Sequence, residues 1–320
     1  LDNKFKIFDI DSIDLNYINQ NQIQNNIRLK KNKKNYQIDG DTFDATNFIE
    51  GLLKDNDDDK DFSIFKNLNS NINIKIKKTY IDTLTYLENF SGSIRYIDNK
   101  INKLNLDAKF SNNKKIKITI NTNDDNEKIT TLFSSYPKPI LKRYKFIKGF
   151  EEGVLDFYSI KKNDHSKSVL IIDDFKVQEV PVLAKLLTLA SLQGIADLLT
   201  GEGIRFTDLE MKFSNQKGLM KIEEMYAIGP AISILMDGYI ERKKLISLRG
   251  TLVPATTINR SIASIPLIGK ILVGEKTGEG VFGVSFKIKG PPKNLKTTVN
   301  PVKTLTPRFI TRTLEKLKTN

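Results

Sequence analysis

Apolar and polar residues alternate with a period of two over much of this chain. Ile72, Ile74 and Ile76 are separated by Asn73 and Lys75, and Ile116, Ile118 and Ile120 by Lys117 and Thr119. Leu104, Leu106, Ala108 and Phe110 alternate with Asn105, Asp107 and Lys109. Successive side chains of a strand point to opposite faces, so each run predicts a strand with one apolar and one wet face. Turn-forming clusters separate the runs at Asn99-Lys100, Asn112-Asn113 and Asn123-Asp124-Asp125-Asn126. The pattern is that of an antiparallel meander.

The second half continues in the same way. Strands are expected over 203–214, 218–228, 230–241, 244–253 and 280–290, with turns at Gln216-Lys217-Gly218, Gly229-Pro230 and Arg242-Lys243. Ile246 and Leu248 alternate in the fourth of these. In the last, Phe282, Val284, Phe286 and Ile288 share a face opposite Gly283, Ser285 and Lys287.

Short helices are expected over 45–54, over 182–199 after Pro181 (one helix, or two joined near Ser191–Gly194), over 258–273 with a break at Pro266, and over 307–318. Most fall in the C-terminal half. In the last, Thr306 is placed to cap and Pro307 to open the first turn. Ile310, Leu314 and Leu317 then form an apolar stripe flanked by Arg308, Arg312 and Lys316. About a dozen one-faced strands need something to cover their apolar sides. A barrel, a sandwich and a curled sheet with an open apolar groove each satisfy the pattern.

Composition narrows the chemistry. The 320 residues contain no Cys and no Trp, and His165 is the single histidine. Disulfides, thiolate nucleophiles, Cys-ligated zinc and mechanisms that need two imidazoles are excluded. The net charge is +13, and it is uneven. From Lys287 to the end there are nine Lys and Arg against Glu315 alone, which is +8 of that total. A basic end of this kind points to an anionic partner, nucleic acid or an anionic membrane surface. Aromatics are not interleaved with the basic residues in the series that base stacking requires, so nucleic acid is not expected.

The apparent chemical motifs dissolve on inspection. Asp55–Asp61 begins like a calcium loop, but Lys60 and Lys66 stand where a glycine and a bidentate acid are needed. The glycines at 274, 278 and 280 lead into a strand and lack the Gly-Lys-Ser/Thr of a phosphate loop. His165 sits in a polar turn. No metal, cofactor or enzymatic activity is expected. Lys185, Gln193 and Asp197 interrupt the apolar run over 182–199, which argues against a membrane span there. The chain begins at Leu1, with neither a secretory signal nor a run of about 20 apolar residues, and is expected to be a piece of a longer protein.

Several phrases stand in a recognisable order. Asp174-Phe175 leads to Pro181–Leu187, then Ala190–Leu199 and Gly201-Glu202-Gly203-Ile204-Arg205-Phe206. Gly229-Pro230-Ala231 precedes Leu248-Arg249-Gly250-Thr251-Leu252-Val253-Pro254-Ala255, and Ile265–Gly274 precedes Gly280-Val281-Phe282-Gly283. Val299-Asn300-Pro301 and Leu305–Phe309 close the series. From about Ile171 to Phe309 the chain resembles the C-terminal region of the AsmA-like family, in its YhdP-type branch. Tyr36–Asp44 and Gly92–Arg95 resemble the looser strand repeats of that family.

The resemblance implies a mainly β fold, an elongated, curled antiparallel sheet with an open apolar groove. Residues 1–170 would form a repeating groove segment and 171–320 the C-terminal region that carries the helices. It further implies bridge-like phospholipid transport between inner and outer membranes in the periplasm of a Gram-negative bacterium, with an inner-membrane anchor outside this chain. Acyl chains would contact Ile72, Ile74, Ile76, Leu104, Leu106, Ile116, Ile118, Ile120, Ile246, Leu248, Phe282, Val284, Phe286 and Ile288. Arg308, Arg312, Lys316 and Lys318 would dock at lipid headgroups or a membrane-protein partner. The competing expectation is an assembly factor for the outer membrane that carries no lipid itself.

Overall fold

The computed structural model describes residues 10–47, 69–98, 100–142, 149–178, 180–189, 192, 201–254 and 283–302. Strands dominate. They are β1 Ser12–Ile18, β2 Gln24–Asn32, β3 Asn35–Asp44, β4 Ser70–Tyr80, β5 Tyr86–Ile97, β6 Lys100–Phe110, β7 Lys115–Thr122 and β8 Lys128–Ser134. There follow β9 Gly149–Lys162, β10 His165–Gln178, β11 Ile204–Gln216, β12 Leu219–Ile228, β13 Ile232–Glu241, β14 Leu245–Pro254, β15 Gly283–Gly290 and β16 Lys296–Val302. The sixteen strands hydrogen-bond in sequence order, and β1 and β16 end that order.

The expected meander has one departure. β3 and β4 pair in parallel, Tyr36 opposite Ile72 and Asp44 opposite Tyr80. A parallel pair needs a crossover of a dozen or more residues, and the connection from Ala45 to Asn69 supplies it. The other strand pairs whose register is defined are antiparallel. Turn chemistry accounts for the hairpins. Asn113, Asn126 and Asn163 adopt left-handed backbone at the tips, where asparagine is well tolerated.

Two short helices are described. α1, Lys138–Leu141, is a single turn that opens after Pro137 and was not anticipated by the apolar spacing. α2, Pro181–Leu189, covers the first half of the helix expected over 182–199. Of the helix expected over 45–54, Thr46 and Asn47 are helical and the rest lies outside the described residues. The helices expected over 258–273 and 307–318 lie outside them too, as do the 55–61 and 274–280 segments.

The chain divides into two compact units. The first holds residues 1–136 and 155–166, the second 137–154 and 167–320. In the first, a polar hub ties the β1–β2 turn to the end of β3. The fully buried Asn25 accepts the Asp44 backbone N–H at 2.7 Å and donates its amide to the Ile23 carbonyl at 3.0 Å. Asp44 in turn accepts from the side chains of Asn19 and Asn21 and from the Thr46 N–H.

In the second unit, α2 leaves the chain just after β10 and packs on β16. It buries Leu183, Leu186 and Leu187, an i, i+3, i+4 stripe. Six strand spacings of ~4.8 Å would set β10 and β16 about 29 Å apart in a flat sheet. One short helix serving both ends means that the sheet of this unit curls.

Candidate functional site

Strand register turns the alternating runs into continuous apolar rows. In the first unit one row runs through Ile13, Leu29, Ile38, Ile74, Gly92, Leu106, Ile118, Leu132 and Phe157, each opposite the next. It crosses nine strands without a charged residue. The row beside it contains Ile72, Ile94, Leu104 and Ile120 before ending in Thr130 and Ser159. The opposite face is wet, with Asp39, Lys75, Ser91, Asp107 and Lys117 in one row.

These side chains pack sideways. Ile94, Leu104 and Leu106 form one cluster with Ile72, Ile74, Ile118 and Ile120, all from the adjacent strands β4–β7. Ile76, Leu104 and Leu106 are buried, whereas Ile72, Ile74, Ile116, Ile118 and Ile120 are only half-buried. Half-burial in a contiguous apolar row differs from scattered surface hydrophobics and marks a face suited to an apolar occupant. At its margin the Tyr96 phenol is pushed up by burial.

Bulges and glycines interrupt this face at set places. The β5–β6 register slips between Glu88 and Ser91, next to Gly92, which occupies the middle of the nine-strand row. Gly92 has φ +149°, and a Cβ there would sit 1.9 Å from the Asn105 carbonyl oxygen. Bulges and strand glycines are the usual devices for bending a sheet.

The second unit repeats the arrangement. Leu209, Ala227, Ile234, Leu252 and Val284 form one row, and Phe213, Ile222, Gly238, Leu248, Ile288 and Thr297 another. Between them run Met211, Met225, Met236, Gly250, Phe286 and Val299. Phe286 lies over the space that a side chain at Gly250 would take. Val284, Phe286 and Ile288 are buried, Ile246 and Leu248 half-buried. Phe282, Arg308, Arg312, Lys316 and Lys318 lie outside the described residues.

Two features escaped the sequence reading. The chain has four methionines, and Met211, Met220, Met225 and Met236 all share this face, each half-buried. Their spacing along the chain is irregular, but Met211 and Met225 are equidistant from the Gly218 turn. Methionine is flexible and polarizable, and fits partners of variable shape. The other feature is a buried stack in the same unit. Phe150, Phe175 and Phe206 lie with ring centroids 5.4 and 5.3 Å apart and planes within 11° and 15°.

Among the described residues, no group of three or more His, Asp or Glu is placed to hold a metal ion. Among the same residues, no helix is long and apolar enough to cross a membrane. Compared with family models, with curated proteins and with solved structures, the chain finds no match.

Proposed function

We propose that this chain is a lipid-carrying segment, in which phospholipid acyl chains lie along an apolar groove formed by the one-sided sheet of each unit. The observation that carries this is the row from Ile13 to Phe157, apolar across nine strands and largely half-buried. Each buried CH₂ of an acyl chain contributes about 0.8 kcal/mol, and that gain is available at every strand crossed. A lipid could therefore slide with little change in free energy while its headgroup stays wet. The resemblance to the AsmA-like family gives this reading a setting: transport between inner and outer membranes, in a periplasm, by a longer anchored protein.

Native mass spectrometry of the purified chain tests it. Phospholipid adducts are expected on the parent, and Leu106→Asp, which puts a carboxylate in the centre of the row, should remove most of them. A parent with no bound lipid, or a Leu106→Asp variant that folds and retains all of it, would contradict the reading and favour a scaffold.

A further inference from the structure

We infer that the turn rim and wet face of β12–β16 in the second unit form a docking surface for an anionic phospholipid bilayer. This goes beyond the groove reading, since it concerns the opposite side of the sheet. Consecutive antiparallel strands bring the β11–β12, β13–β14 and β15–β16 turns to one end of that sheet. Those turns carry Lys217, then Arg242, Lys243 and Lys244, then Lys293, all exposed. Their one acid, Glu241, is already paired with Lys244 at 2.7 Å.

The next row inward on the wet face continues the charge. Lys221, Tyr239, Ser247, Lys289 and Lys296 stand side by side across five strands, with no acid among them. Neighbouring strands lie ~4.8 Å apart, within a Debye length, so these charges act together on an extended anionic surface. The described β12–β13 turn at the other end of the sheet, Gly229-Pro230-Ala231, is uncharged, and in the first unit the β5–β6, β7–β8 and β9–β10 turns carry Asp98, Asp124, Asp125 and Asp164, while the β2–β3 turn carries Lys33 and Lys34.

Charge alone would suit any polyanion, and the exposed apolar side chains choose among them. Leu219 is 43% exposed at the tip of β12, and Tyr239 is 38% exposed in the basic row. A basic surface studded with an aliphatic and an amphipathic aromatic side chain suits the headgroup boundary of a bilayer. A nucleic acid would need a series of stacking platforms, and among the described residues of this face Tyr239 is the one exposed aromatic.

Flotation of the chain with vesicles of phosphatidylcholine, with and without phosphatidylglycerol, tests the inference. Binding should require phosphatidylglycerol and weaken with salt. Lys217→Glu with Lys243→Glu and Lys293→Glu should lower the vesicle partition roughly tenfold or more. Reversal of Lys33 and Lys34 in the first unit should leave it unchanged. Lys221→Glu with Lys289→Glu and Lys296→Glu is a second set, which alters strands and leaves the turns intact. Undiminished flotation of both folded sets overturns the inference, as does equal binding to neutral vesicles. Tighter binding of single-stranded nucleic acid than of anionic vesicles at the same salt overturns it too. Lipid adducts on the apolar face are read separately by mass spectrometry, so their absence would count against the groove and leave this result standing.

Discussion

Replacing Gly92 by alanine should break the sheet where the longest apolar row crosses β5. The added Cβ would lie 1.9 Å from the Asn105 carbonyl oxygen, more than an ångström inside the 3.0 Å that real contacts keep. The blocking atom belongs to the backbone of the neighbouring strand, so no side chain can swing away to relieve it. The φ of +149° adds a conformational cost of about 1–3 kcal/mol for an L-residue. Opening the local ladder costs about 1 kcal/mol for each bond lost. Together these come to about 3 kcal/mol, a large share of the 5–15 kcal/mol typical of a domain.

Gly218→Ala is the matched control. Its φ of +80° also disfavours a side chain, but no atom lies within 4 Å of the added Cβ. That variant should lose about 1 kcal/mol, from backbone conformation alone. Hydrogen exchange read by mass spectrometry on β5 and β6 peptides, alongside urea unfolding, measures the difference. The β5–β6 amides should lose protection in Gly92→Ala and keep it in Gly218→Ala. Equal losses of stability in the two variants would refute the close-approach argument.

Other expectations follow from the same physical arguments. Leu187 is fully buried on the packed face of α2, so Leu187→Ala should cost about 2–5 kcal/mol, read as a lower thermal midpoint for the second unit; a shift near zero would mean that the helix is not docked there. Burial alone would raise the Asp44 carboxyl, but hydrogen bonds from Thr46, Asn21 and Asn19 outweigh it and hold the group below the usual carboxylate value. A depressed pKa stabilises the fold above the unfolded value, and that stability is lost as pH falls through the folded one. Asp44→Asn should therefore melt below the parent near neutrality and converge with it in acid, whereas a pH-independent gap would contradict this. Peroxide transfers oxygen to a thioether and leaves water, so oxidation of Met211, Met225 and Met236 should slow when phospholipid covers their face. Peptide mass spectrometry follows the sulfoxides, and rates indifferent to lipid would count against coverage.

Much of this architecture was legible because a period of two is a direct record of strand geometry. The expected strand over 218–228 is β12 at Leu219–Ile228, and that over 244–253 is β14 at Leu245–Pro254. Turns were legible where Asn or Gly takes left-handed backbone, as at Asn113 and Gly218. What stayed hidden depends on pairing. The parallel β3–β4 contact joins strands separated by a long connection, and nothing local distinguishes it. The row that unites Met211, Met225 and Met236 exists only once two hairpins have fixed their register, and the same holds for Phe150, Phe175 and Phe206. A bulge such as that between Glu88 and Ser91 shifts face assignment midway along a strand, which alternation alone does not register. The single turn of α1 is too short for a helical period to show.

The central claim is that phospholipid acyl chains lie along the apolar face of each unit's sheet. Photoreactive residues at Ile118 and Met236, on the apolar faces of the two units, can be compared in cells with the same residue at Lys75 and Lys117, on the wet face of the first unit. The account predicts phospholipid crosslinks at Ile118 and Met236 and none at Lys75 or Lys117. Capture of no lipid at either apolar position, or equal capture on the apolar and wet faces of the first unit, would contradict it.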